Sequence, residues 1–246
     1  MRYKLTISYD GTHYAGWQVQ KNGQAIQPLI QKALQTVLRQ NRIDLSGSGR
    51  TDAGVHAKGQ TAHFDAEKSF DPKRLLLSLN ALLPSDIRAS SIEEVALDFH
   101  ARYSAKAKIY HYHLHLDPVL SPFTKLYSHQ VLGPLDLSLL KEGAMVFLGT
   151  HDFSAFANVT EKTKRDGVRT LYRLDVVEQK GGCRLEFEGS GFLYKMVRNI
   201  TGALLEVGAR KMVPNEIRSI LASKDRRSAP AAAPAKGLFL MQVLYP

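Results

Sequence analysis

The sequence predicts an α+β fold of two similar halves, each an antiparallel sheet covered by helices on one face. Three observations predict it. Apolar and polar residues alternate in residues 4–9 and 108–116, the pattern of half-buried strands. Apolar residues recur at helical spacing in residues 28–38, 72–82, 136–147 and 192–207. Hairpin-like spacings, rather than repeated crossovers, separate these stretches and favour antiparallel pairing. At 246 residues the chain has room for one large domain or two modest ones. The element order divides it near Ser104, into 1–104 and 105–246.

In chain order, the strand at 4–9 ends at Asp10 and Gly11, which turn into the aromatic segment 14–17. Pro28 suits the first turn of a helix whose stripe is Leu29, Ile30, Ala33, Leu34, Val37 and Leu38. A glycine-rich loop over 46–54 precedes a strand at 60–64 and a second helix over about 72–82, and Asn80, Pro84 and Asp86 close that half. Extended segments follow at 87–95, 101–105 and 108–116, then a linker-like stretch after Pro118 and Pro122. Residues 136–147 form a helix. Residues 170–178 and 183–190 pair as strands through Gly181 and Gly182. A strong helix over 192–207, a short one over 214–221, an Ala-Pro loop at 229–234 and a last strand at 238–244, returning to the sheet, complete the chain.

Hydrophobic residues make up 44% and charged residues 23%, and no apolar run approaches the length of a membrane span. The opening MRYKLTISYDG alternates where a signal peptide would be uniformly apolar, so a cytoplasmic location is expected. A single cysteine, Cys183, allows no internal disulfide and no zinc cluster, and reads as a small strand residue. Lys and Arg number 33 against 23 Asp and Glu, a formal net charge of +10. That excess suits a polyanionic partner, because each neutralised phosphate releases counterions. Solubility alone is the competing explanation.

Chemistry is concentrated in residues 47–57, GSGRTDAGVHA, where Asp52 lies among glycines two residues from Arg50. Glycines admit a ligand close to the backbone, and a nearby cation favours the ionised, nucleophilic carboxylate. A turn aspartate beside a surface arginine is the bland alternative. The loop lacks the Gly-Lys-Ser/Thr ending of a phosphate-cradling Walker A motif.

GSGRTDAGVHA resembles the signature of the TruA family of tRNA pseudouridine synthases. SYDGTHYAGWQ, LNALLPSDI, FHARYSAKAKIYHYHL, GTHDFSAF, GFLYKMVRNITGALLEVG and APAAAPAKGLFL resemble the family's further motifs in the same order. Pro28 stands where a glycine is common, and Ile26 where a valine is usual. The resemblance implies a ferredoxin-like or RRM-like pseudo-repeat with an active-site cleft between the halves. It implies a homodimer that isomerises uridines 38 to 40 of the tRNA anticodon arm without metal or organic cofactor. Asp52 is then the nucleophile, and Arg50 fills the stack vacated by the flipped base or holds a phosphate. Tyr110 packs on the target base, and Arg198 pairs with the catalytic carboxylate.

Lys195, Arg169, Lys164 and Arg165 are the remaining candidates for RNA contact, Lys162 accompanying the last two. A second basic group comprises Arg210, Lys211, Lys224, Arg226 and Arg227, and Arg2, Lys4, Lys106 and Lys108 extend the track. His111, His113 and His115 share one strand face and read as solvated or RNA-facing rather than as zinc ligands. His56 reads as a packing residue of the loop, and Phe192, Leu193, Met196, Val197, Ile200 and Leu204 as helix core. Two rivals remain: a noncatalytic RNA-binding protein on the same scaffold, and a hydrolase or phosphotransferase with Asp52 as nucleophile. The second is disfavoured because the loop supplies one carboxylate, too few to hold the metal such chemistry needs.

Overall fold

A computed structural model describes residues 1–19, 23–158 and 166–246. Its chain forms two compact units, Met1–Lys106 with Phe239–Pro246, and Ala107–Leu238. Both are mixed α and β, in keeping with the predicted class.

The first unit contains β1 (Arg2–Tyr9), α1 (Ile26–Leu38), β2 (Ser46–Gly47), β3 (His56–Asp65), α2 (Pro72–Leu82), β4 (Ile87–Val95) and the returning strand β10 (Leu238–Leu244). β1 lies between β3 and β4 and is antiparallel to both. Its alternation becomes burial: Tyr3, Leu5, Ile7 and Tyr9 are buried, and Tyr3 stacks on Phe64 with ring centroids 5.6 Å apart. Each aliphatic side chain buried in this way contributes about 1.5–3 kcal/mol. α1 adds Ile26, Ile30, Ala33, Leu34 and Leu38 to the core. No side chain caps its start. Instead the Gly16 and Trp17 carbonyls accept from the Ile26 and Gln27 amides, satisfying donors that a helix start leaves open. Asp71 caps α2 by accepting from the Lys73 and Arg74 amides, with Pro72 in the first turn.

The sheet of this unit is mostly antiparallel, with one parallel pair, and one expectation is corrected. β10 returns to the sheet, as expected, and runs parallel to β3 through Phe239 opposite His56 and Leu240 opposite Ala57. Residues 101–105, expected to be extended, form a turn. His100 Nδ1 accepts from the Arg102 and Tyr103 amides, and Ser104 Oγ accepts from the His100 amide. These local side-chain bonds replace a strand ladder.

The second unit contains β5 (Ala107–His115), β6 (His129–Gln130), α3 (Leu137–Val146), β7 (Gly149–Asp152), β8 (Val168–Gln179), β9 (Gly182–Gly189), α4 (Met196–Gly208) and α5 (Pro214–Ser223). Its strands run in the order β5-β9-β8-β7, all antiparallel, with the short β6 parallel to β5. Tyr110, Tyr112 and Leu114 of β5 face inward, while His111, His113 and His115 are half-buried on the other face. Asp136 caps α3 through the Ser138 and Leu139 amides. Glu216 reaches back to the Val213 amide at the start of α5. α4 begins at Met196, later than the predicted 192, because Lys195 has left-handed backbone (φ 61°) and breaks the helical path. Among the described residues, no helix is long and apolar enough to cross a membrane.

Candidate active site

The segment carrying Asp52 connects β2 to β3 and is fastened from two sides. On the strand side, Ser48 donates its amide to the Thr61 carbonyl at 2.7 Å and its hydroxyl to Gln60 Oε1 at 2.8 Å. Gln60 Nε2 donates in turn to the Gly49 carbonyl. On the other side lies the aromatic segment that follows β1. The buried Tyr9 hydroxyl bonds Thr51 Oγ1 at 2.8 Å, the Trp17 amide donates to the Thr51 carbonyl, and the Gly54 amide donates to the Tyr14 carbonyl. Burial pushes the Tyr9 phenol well above its ordinary pKa, so it stays protonated.

The two segments approach so closely that side chains are excluded. A Cβ at Gly11 would lie 2.0 Å from the Val55 carbonyl oxygen, and one at Gly16 (φ 98°) would lie 2.5 Å from that of Thr51. Within the motif, a Cβ at Gly47 would lie 2.7 Å from the Trp17 ring nitrogen, and Gly54 has a positive φ of 75°. Within the loop, the Val55 amide closes a tight turn onto the Asp52 carbonyl. Asp52 is half-buried at the turn and Arg50 is exposed. His56 is 1% exposed, accepts at Nδ1 from the Gly11 amide at 3.1 Å, lies 3.1 Å from an Asp10 carboxylate oxygen, and stacks on Phe239. It packs the loop against the strand, as expected.

In the second unit, Tyr110 is 8% exposed, opposite Phe187 of β9, and meets the Phe192 ring edge-on at 5.0 Å. Phe192 belongs to the short segment between β9 and α4, which also draws in other candidates. A Cβ at Gly191 would stand 3.7 Å from Arg169 Nε. Lys195 ends the segment with its ammonium 5.5 Å from the Tyr194 ring centre, and Arg198 follows one turn into the chain. Tyr110, through Phe192, and Arg169, beside Gly191, therefore adjoin the segment that Lys195 ends and Arg198 follows. Arg198 donates Nε to the Ala233 carbonyl at 2.7 Å, and its own carbonyl accepts from the Ala233 amide at 2.9 Å.

With that geometry in place, comparison with known proteins is decisive. The sequence family described as tRNA pseudouridine synthase matches residues 5–104 and 144–246. The chain belongs to the TruA family of tRNA pseudouridine synthases. It is 54% identical over 245 residues to tRNA pseudouridine synthase A 1 of Protochlamydia amoebophila, covering 99% of this chain and 96% of that one. It is 45% identical to tRNA pseudouridine synthase A of Chlamydia muridarum, over 98% and 91% of the two chains. The Bacillus pumilus protein of the same name is 42% identical over 100% and 99%. The family is one of isomerases, and the chain carries it essentially from end to end.

In this family member several predicted RNA contacts are already engaged within the protein. Arg210 pairs with Asp136 at 2.8 Å, Lys224 with Asp152 at 3.1 Å, Arg227 with Asp225 at 2.7 Å, and Lys211 approaches Glu206 at 3.9 Å. Arg2 forms a two-pronged pair with Asp65, and Lys4 pairs with Glu93. Arg169 bonds Asp166 at 3.2 Å. Lys162, Lys164 and Arg165 lie outside the described residues. Among the described residues no three His, Cys, Asp or Glu side chains group as a metal site, and His111 lies 3.9 Å from Glu186. Cys183 is buried in β9, and burial pushes its thiol up to about 11.

Sequence reasoning missed two features of this synthase. Phe192, read as helix core, lies before the helix, is half-buried and supports Tyr110. Asn199, fully buried, bonds the Phe156 carbonyl and Arg226. Helical periodicity accounts for the first error. The second had no local signal, since the partners of Asn199 are 27 and 43 residues away.

Proposed function

We propose that the chain converts uridine to pseudouridine at positions 38, 39 and 40 of the tRNA anticodon stem-loop, with Asp52 as nucleophile. The observation that carries this reading is the family match through the stretch that holds GRTDAGVHA, at 54% identity to a curated tRNA pseudouridine synthase. The half-buried Asp52 on a doubly fastened loop is consistent with it, because a nucleophile must be held still yet reachable.

In the proposed reaction the target base leaves the helical stack, at a cost of a few kcal/mol, and Arg50 occupies the gap or holds a phosphate. The Asp52 carboxylate attacks the uridine and the bond between C1′ and N1 breaks. The base rotates, C5 bonds to C1′ and the bond to Asp52 breaks, freeing the carboxylate; the C5 hydrogen leaves as a proton and N1 takes one up. Nothing is oxidised or reduced, so the reaction needs no redox cofactor. Tyr110 packs on the base and assists proton removal at C5. Arg198 is the cation that keeps the carboxylate ionised. Lys195, Arg169, Lys164 and Arg165 contact the RNA backbone, which positions the substrate without reading its sequence. The half 1–104 supplies the aspartate loop and the half 105–246 the tyrosine strand and basic helix. The enzyme works as a homodimer in the cytoplasm.

The test is conversion of a uridine-containing anticodon-arm transcript by the purified protein, with EDTA and no added cofactor, beside Asp52→Ala, with nucleoside analysis for pseudouridine. Product from the intact protein alone is the expected result. If neither protein makes pseudouridine and both bind the RNA, the noncatalytic reading replaces this one. Sedimentation of the same preparation tests the dimer.

A further inference from the structure

Arg226 stands apart from its basic neighbours. Arg210, Lys224 and Arg227 each meet a carboxylate, whereas Arg226 bonds neutral oxygens. Its Nη1 donates to the Ala229 carbonyl at 2.7 Å and its Nη2 to Asn199 Oδ1 at 3.0 Å. A guanidinium drawn partly out of water with neutral acceptors loses solvation that no ion pair returns, and burial holds its pKa below the usual arginine value. Its position serves geometry, not charge pairing.

The geometry leads to Arg198. Asn199 is 0% exposed and its amide is satisfied at both ends, Oδ1 by Arg226 and Nδ2 by the Phe156 carbonyl at 2.8 Å, so the side chain has a single satisfied orientation. Ala229 opens the Ala-Pro stretch that runs to Pro234. Midway, the Ala231 carbonyl presses on α4 so tightly that a Cβ at Gly202 would lie 2.0 Å from its oxygen. At the far end, Ala233 accepts from Arg198 Nε and donates its amide to the Arg198 carbonyl. The stretch is thus clasped to α4 at Asn199, Gly202 and Arg198.

We infer that Arg226 and Asn199 are positioning residues for Arg198, closing the Ala-Pro stretch onto α4 so that the Ala233 carbonyl fixes the plane of the Arg198 guanidinium. The inference rests on the proposed catalytic role of Arg198.

The experiment measures kcat, KM for tRNA and melting temperature for Arg226→Ala, Arg226→Lys and Arg198→Ala, well below the unfolding temperature. Arg226→Ala is expected to lower kcat roughly 10- to 100-fold with KM within about twofold, because a small misplacement of a catalytic group acts on the transition state. Millimolar guanidinium chloride should restore part of that rate by refilling the bracket, while the same concentration of sodium chloride should not. If Arg226→Ala does not fold, Arg226→Lys carries the test: it keeps charge and bulk, cannot span both acceptors, and is expected to lose kcat at constant KM. A rise in KM at unchanged kcat would overturn the inference and make Arg226 an RNA-backbone contact. Equal activity of all Arg226 variants, or loss of kcat only in step with melting and without guanidinium rescue, would also overturn it. Full activity of Arg198→Ala would instead remove the catalytic role of Arg198, whatever the Arg226 variants do.

Discussion

At the scale of single residues, the polar side chains of the first unit act through burial more than through charge. His63 is buried on β3 and accepts at Nδ1 from the Ala101 amide, anchoring the turn that replaces the expected strand. Burial first, then the neighbouring His100 and Arg2, lowers its pKa from 6.5 to about 4, against an opposing contribution from Asp65. The unfolded chain takes up a proton below about 6.5 that the folded chain refuses until about 4. Stability therefore falls as pH drops through that window and levels off below it. His63→Asn keeps an acceptor near Nδ1 and removes the titration. Its melting temperature is expected to vary less than the parent's between pH 6.5 and 4, and an unchanged slope would show that other groups set the acid sensitivity. Tyr9 offers a second check. Tyr9→Phe strands the Thr51 hydroxyl and should destabilise by about 1 kcal/mol in denaturant unfolding, so a loss near zero would mean the hydroxyl finds another partner.

At the scale of elements, the loop that carries Asp52 owes its shape to the segment that precedes α1. Gly16 combines φ 98° with a carbonyl 2.5 Å from where a Cβ would stand, so Gly16→Ala must either strain its own backbone or push Thr51 and Asp52 away. The cost is expected at about 1–3 kcal/mol, and kcat should fall by more than this loss of folded protein explains. An active, merely destabilised Gly16→Ala would mean that the loop tolerates the displacement. The sequence revealed elements whose signals are local. α2, β4 and β10 begin and end where periodicity and proline or aspartate punctuation place them. β2, β6 and β7 have two to four residues, too few for a period to register. Residues 101–105 alternate like a strand, and their pattern does not reveal that His100 will capture the Arg102 and Tyr103 amides while Ser104 captures that of His100. The family was legible because the motif around Asp52 is contiguous. The supports of the site were not, since Tyr9 with Thr51, Asn199 with Arg226, and Gly202 with Ala231 meet only after folding.

At the scale of the whole molecule, the net charge of +10 overstates what tRNA can use. A lysine or arginine already held by a carboxylate adds little counterion release on binding, because its partner must be discharged or stay nearby. Lys224 with Asp152 and Arg227 with Asp225 are in that position, and the Arg227 hydrogen bond is the main cause that holds the Asp225 carboxyl below its ordinary range. The proposed contacts Lys164 and Arg165 belong to a run, TEKTKRDG, with as many as three cations close together in sequence. Binding of tRNA should weaken steeply with salt, and the slope of log affinity against log salt counts the phosphates engaged. Replacing Lys164 and Arg165 together by alanine is expected to shallow that slope by about two, near one per phosphate contact. Replacing Lys224 and Arg227 together removes the same formal charge and is expected to leave the slope nearly unchanged. Filter binding of one tRNA transcript across a salt series separates the two pairs. Equal shallowing by both would mean that net charge governs association; shallowing by Lys224 and Arg227 alone would move the RNA track onto the second basic group and away from Lys164 and Arg165.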